Sequence, residues 1–134
     1  MRNSFYITIL LLTLFVNSKG QTNVFVGGNT QMTFNELRYG AIMKATHKGF
    51  QSAIFIDQSF FTRKLVSGFQ VGANFVNLDH IIIGSNIMFD GYIHYPCLNV
   101  IQKLDSDNLY IDMTLRPHYR DLIQFEFSLL YNLK

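Results

Sequence analysis

The chain has 134 residues, eleven Lys and Arg against nine Asp and Glu, and one cysteine, Cys97. One cysteine excludes an intramolecular disulfide, and a near-neutral balance excludes the basic footprint that binds nucleic acid. Its aromatic surface comes from thirteen Phe and seven Tyr, with no Trp.

Residues 1–20 have the layout of a secretory signal peptide. Arg2 gives the positive start and Phe5 to Val16 an apolar run. Ser18-Lys19-Gly20 then places small residues before a cleavage point at Gln21. An uncleaved anchor would need nearer about 20 apolar residues. With Cys97 the only thiol, no cysteine follows the run to accept a lipid. Arg2 and Lys19 belong to this leader, so residues 21–134 carry nine basic and nine acidic groups. No Pro/Gly/Ser-rich linker divides them, and they read as one domain.

From there the chain reads as strands. Val24 and Val26 alternate in a first one, Asn23 to Gly28, and Gly27-Gly28-Asn29-Thr30 reads as a turn. From Glu36 to Thr46, Leu37, Tyr39, Ala41, Met43 and Ala45 face one way and Arg38, Gly40, Lys44 and Thr46 the other. His47-Lys48-Gly49 turns the chain into a third strand, with Phe50, Ser52, Ile54 and Ile56 opposite Gln51, Ala53, Phe55 and Asp57. Side chains of a strand point alternately to its two faces, which is why this period of two predicts strands.

Thr62-Arg63-Lys64 breaks the pattern as a solvated tip before a fourth strand, Leu65 to Val76. There Leu65, Phe69, Val71, Ala73 and Phe75 oppose Gly68, Gln70, Gly72 and Asn74. After Asn77-Leu78-Asp79, a fifth strand sets Ile81, Ile83, Ile87 and Phe89 against Gly84 and Asn86, and Asp90-Gly91 is a hairpin signal. Tyr92 to Gln102 is the weak strand, because Pro96 interrupts it. A turn at Asp105-Ser106-Asp107-Asn108 leads to Leu109, Ile111, Met113 and Leu115 opposite Tyr110, Asp112, Thr114 and Arg116. The last strand, Leu122 to Leu133, is the clearest: Ile123, Phe125, Phe127, Leu129, Tyr131 and Leu133 face one way. Gln124, Glu126, Ser128 and Asn132 face the other, with Leu130 as the single lapse. The prediction is an all-β chain: an antiparallel up-and-down β-barrel of about eight strands.

Alternation does not say which face points inward. A soluble barrel or sandwich puts the apolar face inside, whereas a membrane barrel turns it to lipid and keeps the polar face for the lumen. Here the polar faces hold Gly, Gln, Asn, Ser and Thr more than surface charge, and their charges are mixed in sign. The apolar faces are long, and Tyr39, Tyr92, Tyr95 and Tyr131 can stand at the interfaces. The expectation is therefore that outer-membrane lipid contacts the Phe-rich faces. Arg38, Lys44, Asp57, Gln70, Asn74, Asp112, Arg116 and Glu126 line the lumen as a polar network, with the carboxylates paired to Arg38 and Arg116.

Leader, eight alternating strands and the terminal segment Ile123 to Leu133 resemble the small outer-membrane β-barrels of Gram-negative bacteria, and Gly20-Gln21 is similar to leaders common in Bacteroidota. The resemblance implies an outer-membrane location, no catalysis, and a structural, minor-pore or envelope-complex role. It also implies the barrel-assembly machinery as a partner, recognising the last strand through Phe125, Phe127, Leu129 and Tyr131. In that family the strand usually closes on an aromatic; here Tyr131 is followed by Asn132-Leu133-Lys134.

The alternative is a secreted or periplasmic lipocalin-like barrel binding a small apolar ligand, lined by Phe69, Phe75, Ile87, Phe125 and Phe127. No catalytic or metal-binding motif stands out, and no cofactor is expected. His47, His80, His94 and His118 share no ligand spacing, and Ser52 and Ser128 lack a nucleophile's context. Cys97 beside Pro96 reads as an unpaired apolar residue.

Overall fold

All the regular structure in the computed structural model, which describes residues 22–105, 108–118 and 121–133, is β-strand. The expected leader lies outside the described residues. The strands are β1 (Thr22–Met32), β2 (Leu37–His47), β3 (Phe50–Ser59), β4 (Leu65–Asn77), β5 (Ile81–Phe89), β6 (Ile93–His94), β7 (Leu98–Lys103), β8 (Leu109–His118) and β9 (Leu122–Asn132). Each pairs antiparallel with its neighbour, and β1 also pairs with β9, so the sheet closes on itself. The short β6 and the longer β7 both pair with β5 at successive levels and share one position in the wall. The result is the predicted eight-stranded up-and-down barrel. Closure removes the unpaired edges that an open sheet would expose.

Pro96 splits the weak predicted strand into β6 and β7, since proline cannot donate to a ladder. The break is bridged: Cys97 N–H donates to Asn86 O at 3.1 Å, and the Arg116 guanidinium donates to Tyr95 O at 3.0 Å. A register shift between Asn74 and Val76 bends β4 against β5.

The Gly27-Gly28-Asn29-Thr30 segment is not the expected turn; it is the middle of β1. Its glycines answer a packing demand instead. A Cβ on Gly27 would lie 1.8 Å from Leu129 O, and one on Gly40 would lie 2.0 Å from Ile56 O. At both places the neighbouring backbone occupies the volume of a side chain, so only glycine lets the sheet curl this tightly.

The two faces of the wall are sorted most clearly on β8 and β9. Inward residues of β9 are buried (Gln124, Glu126, Ser128, Leu130, Asn132), while outward Phe125, Phe127, Leu129 and Tyr131 are 58%, 47%, 47% and 49% exposed. The same division holds on β3 and β8, where Asp57, Asp112 and Arg116 are buried and Ile56, Met113 and Leu115 exposed. The inside also holds an apolar group that the polar lumen expected from sequence did not include: Phe25, Ile42, Ala53, Phe55, Ile82, Met88, Ile101, Tyr110 and Leu130. Phe25 meets Tyr110 edge to face at 5.0 Å. Leu130, a lapse in the pattern, fills this plug.

Candidate functional site

The interior of the barrel is the candidate site, and it is built rung by rung from inward positions. β1 and β3 bring Asn29 to Asp57, and the Asn29 amide donates to both carboxylate oxygens at 3.3 and 3.0 Å. Ser128 on β9 donates to Asn29 Oδ1 at 2.8 Å, which fixes the way the amide points. Across the lumen, Gln70 Nε2 on β4 donates to both oxygens of Glu126 on β9 at 2.8 and 3.0 Å. Lys44 on β2 and Asp112 on β8 form an ion pair in the body of the lumen, each side chain 1% exposed. Gln51 donates to Asn99 at 2.8 Å, and Gln124 donates to Gln31 at 2.8 Å.

Of the eight residues expected to line the lumen, Lys44, Asp57, Gln70, Asp112, Arg116 and Glu126 are buried inside it. Arg38 stands at the mouth. Asn74 is half-buried at the opposite end, where its amide donates to Phe50 O at 3.1 Å and ties β4 to the start of β3. The expected pairing of the carboxylates with Arg38 and Arg116 is not what forms. Arg116 instead donates to Asn86 O at 2.9 Å, to Tyr95 O and to the Asn86 side chain. Asp57 and Glu126 are held by neutral amides. A guanidinium needs several acceptors in a fork; Asn86 on β5 supplies its carbonyl and side chain, and the break between β6 and β7 leaves the Tyr95 carbonyl free to be the third.

The mouth is the end away from Thr22 and Asn132. There Arg38 forms ion pairs with Glu36 and Asp90, both at 2.8 Å, and His94 Nε2 lies 2.7 Å from Asp90. Burial alone would raise the Asp90 carboxyl. Hydrogen bonds and charge from His94 and Arg38 overcome it and hold the group at about 2. The rings of His94 and His118 stack at 5.2 Å. A recess at this end, lined by Gln31, Thr33, Glu36, Arg38, His118 and Gln124, is too narrow to admit a water molecule. The mouth is closed by its own side chains.

On the outer wall, the four residues expected as the assembly signal, Phe125, Phe127, Leu129 and Tyr131, form one row on β9. The five residues named for a lipocalin-like pocket do not face the interior: Phe75, Ile87, Phe125 and Phe127 are exposed, and Phe69 is half-exposed on the same outer face. An apolar groove of ≈ 730 Å³ crosses the wall from β1 to β5. Sequence reasoning missed it, because it depends on which small residues become neighbours across strands.

Among the described residues no group of three or more His, Cys, Asp or Glu is placed to hold a metal ion. No protein-family model matches the chain, and no curated protein matches its sequence.

Proposed function

We propose that the chain is a small outer-membrane β-barrel that works as a structural or complex-forming element of the envelope, without catalysis and without an open pore. The observation that carries this reading is the inverted distribution of polarity. Arg116, Lys44, Asp57 and Glu126 are at most 2% exposed, while large apolar residues such as Phe75 at 70% and Phe125 at 58% are turned outward around the wall. A soluble monomer rarely exposes contiguous apolar surface beyond a few hundred Å². Returning each large side chain to an apolar medium is worth about 1.5–3 kcal/mol, and a bilayer offers that medium to all of them at once.

Strand length agrees with this: β1, β2 and β9 have 11 residues, β3 and β8 have 10. A strand that crosses a bilayer at a tilt needs about 9–11. Tyr39, Tyr92 and Tyr95 stand exposed towards the mouth and Tyr131 towards the other end, where interfacial aromatics belong. An eight-stranded lumen is just wide enough for side chains to fill, and fully buried Arg116, Phe25, Lys44 and Met88 fill it. Such a protein acts through its wall and loops, as a scaffold or a membrane component of a larger assembly.

Cell fractionation tests the reading. The expected result is recovery from the membrane pellet only with detergent, with a band whose gel mobility changes on boiling as a closed barrel opens. Full solubility without detergent would refute it.

A further inference from the structure

We propose that the outer wall carries a site for one anionic phospholipid, its acyl chain in the β1–β5 groove and its phosphate at the tip of the β3–β4 hairpin. This rests on the membrane reading above. Two independent features meet there.

The first is the groove. Its ≈ 730 Å³ falls within the range of a ligand site, roughly 300–1,000 Å³. Ala41 and Ser67 give it a shallow floor, and Met43, Ile54, Phe69 and Phe89 raise one side. The register explains the shape. Met43 is opposite Ile54, Ile54 opposite Phe69 and Phe69 opposite Phe89, so these four form one ridge across β2–β5. The next row, Ala41 opposite Ile56 and Ile56 opposite Ser67, is small at two of its three positions. With neighbouring strands about 4.8 Å apart, the groove runs roughly 19 Å from β1 to β5, the reach of an extended long acyl chain.

The second is charge. Arg63 and Lys64 sit at the hairpin tip and form no ion pair with a described acidic residue. The Arg63 guanidinium lies over the ring of Phe60, 5.9 Å from its centroid, and Phe60, Phe61 and Leu65 are exposed beside it. Exposed aromatics with unpaired cations are the composition that holds a headgroup at a bilayer interface. Ser67 lies three residues along β4 from Lys64, about 10 Å in a strand, so one amphiphile reaches from the groove to both cations.

The test uses the full chain folded in non-ionic detergent and native mass spectrometry. The probes are phosphatidylglycerol, phosphatidylcholine of the same acyl chains, and inorganic phosphate. One phosphatidylglycerol per barrel is expected to survive detergent removal, preferred over phosphatidylcholine by about 30-fold, the worth of two basic residues at a membrane surface. Arg63→Ala/Lys64→Ala should erase that preference with the thermal midpoint unchanged. Ala41→Phe, which fills the floor, should lower retention of both lipids, and Ser67→Leu serves the same purpose if that variant does not fold. Equal retention of the two lipids, wild-type retention by the double alanine variant, or capture of inorganic phosphate alone overturns the site. A barrel that carries a detergent belt yet keeps no lipid refutes this site only. A chain with no belt, soluble by itself, refutes the membrane reading as well.

Discussion

Replacing Lys44 by methionine removes one partner of the ion pair in the lumen while keeping length and most of the volume. Lys44 is 0% and Asp112 1% exposed, so the remaining carboxylate has no water to turn to. Asn99 donates to it at 3.4 Å, a long and weak bond that does not replace an ammonium. Breaking a buried pair from one side costs about 3–5 kcal/mol, because the orphaned charge stays buried. That is a loss of roughly two to three and a half powers of ten in the folding equilibrium. Removing both charges, as in Lys44→Met/Asp112→Leu, should recover most of the loss, since a well-packed apolar replacement of an ion pair is often neutral or better. Urea titration of the barrel in detergent, followed by circular dichroism because the chain has no Trp, gives all the corners of the cycle. A single variant that loses less than about 1 kcal/mol, the worth of an exposed pair, would refute the reasoning. So would a double variant as unstable as the single one.

Three further outcomes follow from the same structure. Gly27→Ala sets a methyl group 1.8 Å from Leu129 O and should abolish the heat-modifiable folded band, whereas Gly28→Ala, whose nearest neighbour lies at 3.9 Å, should leave it intact. Phe127→Arg, in the middle of the outward row of β9, should lower stability in lipid vesicles by about 2–4 kcal/mol, and Phe127→Leu should not; equal effects in a urea titration would count against a lipid-facing wall. The carboxyl of Asp90 is held at about 2, below its ordinary 3.8, so the stability it provides is complete above about pH 4 and is lost as pH falls towards 2. Thermal melts across that window should show a fall that Asp90→Asn lacks; identical profiles would remove Asp90 from the account.

Much of the fold was legible because a period of two is a local property. The alternation in β2, β4, β8 and β9 is carried by residues a few positions apart, and each of these strands formed where its pattern lay. The pairings in the lumen were not legible, because they join residues far apart in the chain: Lys44 to Asp112, Asn29 to Asp57, Gln70 to Glu126. Charge counting matched carboxylates with arginines. The register instead put amides beside two of the carboxylates and carbonyls around Arg116. Glycine misled for a related reason. A Gly-Gly-Asn-Thr string is turn chemistry when judged locally, but pairing with β2 on one side and the close approach of Leu129 on the other make Gly27 a strand residue.

The apolar plug did leave a trace, in places where alternation failed. Val24-Phe25-Val26, Ile81-Ile82-Ile83, Val100-Ile101 and Leu129-Leu130-Tyr131 are apolar on both faces of their strands. In three dimensions their inward members converge near the end that holds Thr22 and Asn132: Phe25 lies opposite Asn132, Ile82 opposite Ile101, and Leu130 opposite Tyr110. Consecutive apolar residues in a strand therefore mark inward side chains that join the plug. Polar and apolar groups nevertheless interleave in the lumen: Lys44 lies opposite Phe25 and Asp112 opposite Ile101, so the buried ion pair packs directly against the plug. On the membrane reading proposed above, ion pairing at the mouth and the cost of dehydration at Phe25, Tyr110 and Leu130 would both oppose the passage of a solute.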